Sequence, residues 1–68
     1  MTDNPKSTPQ GLLVAIDVAK RFHDVLVRWP EGRTRSFKVA NIREEHMSLC
    51  RFLVSHQLPV TIALEPTA

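Results

Sequence analysis

Leu12-Leu13-Val14-Ala15-Ile16-Asp17 and Val60-Thr61-Ile62-Ala63-Leu64-Glu65 share one pattern, a short, largely apolar run that closes on a carboxylate. Runs of this length, rich in Val and Ile, read as buried strands, most simply as neighbours in a parallel sheet. A carboxylate at the C-terminal end of each strand puts both acids at one sheet edge, where open α/β sheets bind their ligands. Two acids in one small site repel each other unless a cation lies between them, which points to a hard metal such as Mg²⁺. The alternative is that Asp17 and Glu65 terminate their strands and face water.

The residues between these runs supply the rest of a sheet and one helix. Phe22 to Trp29 reads as a second strand, with Val25, Val27 and Trp29 on one face and Phe22 and Leu26 on the other. Apolar residues on both faces predict an interior strand, covered on both sides at least in the complete fold. Pro30-Glu31-Gly32-Arg33 is a turn, because Pro presets φ and Gly tolerates positive φ. Thr34 to Val39 then alternates, with Arg35, Phe37 and Val39 opposite Thr34, Ser36 and Lys38, as a returning hairpin strand does.

A helix follows, over about Ile42 to Gln57. Asn41 is placed to N-cap it, Glu44 to complete a capping box, and Glu44 and Glu45 to favour the positive end of its dipole. Ile42, Leu49, Cys50 and Leu53 recur at helical spacing, flanked by Met47 and Val54, so Cys50 is expected to be a small core residue. Pro59 stops the helix, and the last strand follows at once. The expected order is β-β-β-α-β in an α/β domain over 11–68, preceded by a polar, disordered tail over 1–10.

Composition limits what such a chain can do. At 68 residues there is room for one small domain, burying only about 60% of its unfolded surface. The single cysteine, Cys50, rules out an internal disulfide, and the three histidines (His23, His46, His56) are too scattered for a zinc site and are expected at the surface. Leu12 to Ile16 is far too short for a signal-peptide core or a membrane span, so a cytoplasmic location and no membrane partner are the default. Nine Lys and Arg against seven Asp and Glu leave a net charge of +2. Arg28, Arg33, Arg35 and Lys38 cluster in one short stretch, compatible with contacts to nucleic-acid phosphates or simply with a solvated face.

The element order, with acids ending the first and fourth strands, resembles the opening half of a ribonuclease H-like (RuvC-like) fold, incomplete here. Ala15-Ile16-Asp17-Val18-Ala19-Lys20, then Phe22-His23-Asp24-Val25, then Ala63-Leu64-Glu65-Pro66-Thr67 resemble the start of a DEDD insertion-sequence transposase of the group numbered one-hundred-ten. The resemblance runs from Leu12 to Ala68. It departs from the family at Ala15, where Gly is common, and at Pro66 and Ala68, where Ala and Gly are usual.

The resemblance implies that Asp17 and Glu65 are the first two acids of the DEDD set. They would hold Mg²⁺ for phosphodiester cleavage and strand transfer on DNA. It also admits a guide-type RNA and further copies of the transposase as partners. Lys20 recurs in the first motif, where it touches phosphate, orients Asp17 or is a solvated turn lysine; Thr67 fits either the second motif or a helix cap. Family members carry two further aspartates and a serine-bearing C-terminal domain. None of these lies within the 68 residues, so the expectation is an N-terminal fragment, inactive alone.

Two other readings compete. One is a non-catalytic remnant, or a small module that binds nucleic acid or a protein partner; its last strand would be an open edge, which invites association. The other is a fragment of a sugar-kinase or actin-like ATPase, whose phosphate loop needs Gly and small hydroxyl residues after the Asp; Val18-Ala19-Lys20 suits that loop poorly.

Overall fold

The computed structural model describes residues 10–66, so the expected tail lies outside the described residues apart from Gln10, as do Thr67 and Ala68. The elements are β1 (Leu12–Val18), β2 (Phe22–Arg28), β3 (Thr34–Ala40), α1 (Arg43–Val54) and β4 (Val60–Pro66). They form an α/β domain with one mixed sheet in the order β3-β2-β1-β4. β1, β2 and β3 make an antiparallel meander, and β4 returns through α1 to pair in parallel with β1. No helix among the described residues is long and apolar enough to cross a membrane.

Period-two alternation decides what each strand buries. Leu12 and Val14 of β1, Val25 and Val27 of β2, Trp29 just after β2 and Val39 of β3 face α1 and form the core with Leu53 of the helix. Ile16, Phe37, Leu49, Phe52 and Leu58 pack around them. Each buried aliphatic side chain contributes roughly 1.5–3 kcal/mol. The opposite face carries no helix, so Phe22, Leu26 and Leu13 stay exposed. β2 is therefore interior in the sheet order, as expected, and covered on one face only among the described residues.

The turn after β2 forms as its residues dictate. Gly32 N–H donates to the Trp29 carbonyl at 2.9 Å, Trp29 N–H donates to the Arg33 carbonyl at 2.8 Å, and Gly32 takes a φ of 104°. That positive φ is open to glycine and costly for other residues.

Helix α1 differs from expectation at both ends. Its N-cap is Ile42, with no side-chain capping bond. Asn41 instead spends its amide on the sheet: its Nδ2 donates to the Lys20 carbonyl at 2.9 Å and its N–H to the Arg21 carbonyl at 2.7 Å. A tertiary tie to the β1–β2 connection has outcompeted the local cap. The helix ends at Val54, and Gln57 adopts a φ of 55°, a left-handed turn residue before Pro59.

The buried stripe also shifts, to Leu49, Phe52 and Leu53, leaving Ile42, Met47 and Val54 exposed. Cys50 is exposed rather than a core residue, because α1 lies over the β3 side of the sheet. The same offset leaves β4 bare. Every residue of that strand is exposed, including Ile62 (52%) and Leu64 (65%): its apolar run reads as a buried strand, and the structure makes it the open edge of the sheet.

Gly11 sits where β1 begins to pair with β4, and Leu12 N–H donates to the Pro59 carbonyl at 2.8 Å. A Cβ on Gly11 would overlap the Pro59 carbonyl oxygen. Gly11→Ala is expected to destabilise the domain by about 1–3 kcal/mol, read as a lower urea midpoint.

Candidate active site

Asp17 lies in the last turn of pleat of β1, and the parallel register places it directly beside Glu65 of β4. Both belong to the helix-free face, with Ala15 and Ala63 one step behind them in the same register. The two carboxylates that the sequence singled out are therefore brought together, on neighbouring strands spaced about 4.8 Å apart.

The antiparallel register extends this row. Asp24 of β2 pairs with Asp17 on its other side, and Lys38 of β3 pairs with Asp24. Reading across the sheet, the row is Glu65, Asp17, Asp24, Lys38. Lys38 Nζ donates to Asp24 Oδ1 at 2.8 Å, an exposed ion pair. Three carboxylates stand abreast with one cation at the end, so the left of the row concentrates negative potential. An open cleft of about 450 Å³ lies along it, lined by Asp17, Asp24, Ser36, Lys38 and Glu65. Among the described residues no group of three or more His, Cys, Asp or Glu side chains is arranged to hold a metal ion. The sequence motif alone gives Asp24 no role; the hairpin register that pairs it with Asp17 is the signal that finds it.

The segment leaving the site is fastened by a histidine. Ala19 N–H donates to His23 Nδ1 at 3.1 Å, and the His23 ring stacks on His46 at 5.6 Å between centroids. His23 and His56 are half-buried rather than surface residues. Lys20 is exposed in this connection, at the carboxylate end of the sheet, and its carbonyl takes the Asn41 amide.

The basic cluster divides. Lys38 alone stands in the carboxylate row. Arg28 shares the helix-free face but pairs with Leu13 and Thr34, at the far end of the strands. Arg33 lies over the Trp29 ring at 4.3 Å, and Arg35 lies 5.8 Å from Phe37 and 5.9 Å from Phe52, both on the helix side.

No family model matches the chain, and neither a curated protein nor a solved structure matches it.

Carboxylates set directly opposite on neighbouring strands work against the sheet. Glu65→Gln is expected to stabilise the fold by a few tenths of a kcal/mol at low ionic strength, a gain that shrinks as salt screens the repulsion. Thermal unfolding of both proteins at low and high salt measures this.

Proposed function

We propose that this chain is the N-terminal, ribonuclease H-like (RuvC-like) part of a DEDD insertion-sequence transposase, acting on DNA phosphodiesters. The observation that carries this reading is the parallel β1–β4 register, which sets Asp17 beside Glu65. The sheet order β3-β2-β1-β4 with one crossover helix supports it as well, since that order makes those two strands neighbours.

Mg²⁺ fits this donor set, because it is commonly held by one or two carboxylates while water and phosphate oxygens complete its shell. Asp17 and Glu65 would hold it, and it would supply Lewis-acid stabilisation of the attacking and leaving oxygens. The chain's own contribution is electrostatic and positional. The parallel register sets the two carboxylates side by side while β4 is paired with β1, and the row Asp17–Asp24 sharpens the local negative potential that draws a cation. Lys38, retained by Asp24, keeps a positive charge at the same edge. Lys20 lies in the connection beyond Asp17, where it can meet a phosphate.

A second reading, a module that binds a partner without catalysis, draws on the bare strand β4 with Ile62 and Leu64 exposed. Metal binding separates the two. In an NMR titration with Mn²⁺ as the paramagnetic stand-in, the first reading expects broadening centred on Asp17 and Glu65. Asp17→Asn and Glu65→Gln should each remove it. Broadening that is absent, or indifferent to both substitutions, favours the partner-binding module.

Two carboxylates of a set of four are too few for turnover. The 68-residue chain is therefore expected to nick no DNA with Mg²⁺ or Mn²⁺. Metal-dependent nicking abolished by Asp17→Ala would overturn that count. In a fusion supplying the two further aspartates, Asp17→Asn and Glu65→Gln should each abolish cleavage, and Lys20→Ala should cost less.

A further inference from the structure

We propose a phosphate-binding cleft at the other end of the sheet, between the β2–β3 turn and the C-terminal end of α1, with Arg33 and Arg35 as its ligands. It lies on the helix-bearing side, remote from Asp17 and Glu65, and does not depend on their role.

The cleft has a volume of about 330 Å³ and is lined by Trp29, Arg33, Thr34, Arg35, Phe52 and His56. No carboxylate is among these residues. Its floor is an aromatic cluster: Phe52 meets Phe37 at 5.9 Å and His56 at 4.8 Å, and Trp29 meets His56 at 5.4 Å, all edge to face. The two guanidiniums rest on these rings, Arg33 on Trp29 and Arg35 between Phe37 and Phe52. A guanidinium held against a ring loses little further freedom on binding and keeps its N–H fork for an oxyanion.

Both forks are available. Arg33 meets Glu31 only through Nε, at 3.5 Å and at the surface, a weak exposed pair. The Arg35 side chain has no hydrogen bond or ion pair among the described residues. The turn sets the spacing, since the Trp29 N–H to Arg33 carbonyl bond locks the arginine beside the indole it covers.

The independent sign of a missing ligand is the indole itself. Trp29 is 8% exposed and lines the cleft, yet its Nε1–H is buried with no acceptor among the described residues. A buried donor left unpaired costs about 1–3 kcal/mol. An oxyanion held by the two guanidiniums beside the indole offers acceptor oxygens that the fold does not, once the ring turns its N–H toward the cleft. Phosphate matches the bidentate fork. It can come as a free ion or as the backbone of a nucleic acid.

Trp29 is the single tryptophan, so its indole fluorescence and its Nε1–H NMR signal report on this cleft directly. The 68-residue chain is titrated with inorganic phosphate in one arm and with a short DNA duplex in the other. The expected result is a saturable indole shift, weakened about tenfold by Arg33→Gln and by Arg35→Gln. It should be weakened less by Arg35→Lys, which keeps the charge and loses the fork. In the duplex arm each Arg→Gln change should also lower the slope of log affinity against log salt by about one. Asp17→Asn and Glu65→Gln should leave both titrations unchanged, which separates this cleft from the metal reading. A response to phosphate alone identifies a free-ion site, and a response to the duplex alone identifies a backbone contact. No indole response in either arm, or a response that survives both Arg→Gln changes in chains that remain folded by circular dichroism, overturns the proposal.

Discussion

The parallel pairing of β1 with β4 is the contact on which the rest of this molecule depends. It starts where Leu12 N–H meets the Pro59 carbonyl and runs to the level of Asp17 and Glu65. The meander is local in sequence and needs only its turns. The β1–β4 ladder joins the two ends of the described chain, and only the crossover through α1 makes it reachable. Close approach at Gly11 sets how deep β4 can seat. A one-residue slip would move Glu65 to the helix side, because strand side chains alternate. Register, sheet order and the carboxylate pair are thus one constraint seen at three scales.

Much of this was legible in the residues. Strand lengths, the Pro30–Arg33 turn and the division of β2 into Val25/Val27/Trp29 and Phe22/Leu26 follow from alternation, which is short-range and hard to override. The pairing of Asp17 with Glu65 followed from two runs of equal length ending alike. The parallel register Leu12 with Val60 through Asp17 with Glu65 keeps that equality.

The misses have tertiary causes. Asn41 has the chemistry of a cap, but the Lys20 and Arg21 carbonyls lie within its reach and a sequence pattern cannot show them. Helical spacing offers Cys50 and Met47 beside Leu49 and Leu53, and it passes over Phe52. Which of them is buried depends on the lateral position of α1, and the helix chose the β3 side. The basic stretch looked like one patch, although the alternation of β3 already put Arg35 and Lys38 on opposite faces. Asp24 went unassigned because its meaning arises only across the hairpin, from its neighbours Asp17 and Lys38.

The bare state of β4 has a consequence for how the candidate site exists in time. Glu65 rides on an edge strand with one hydrogen-bonded neighbour, no buried side chain and no helix above it. Asp17 rides on an interior strand anchored by Leu12 and Val14. Local opening free energies follow such differences, with edge elements fraying well before the core unfolds. The two carboxylates therefore belong to regions of unequal persistence, and the site assembles only while β4 is docked. A divalent cation bound between them would tighten the docking by mass action. The edge strand and the cation would then stabilise each other, so occupancy of the site and order of the strand would rise and fall as one equilibrium.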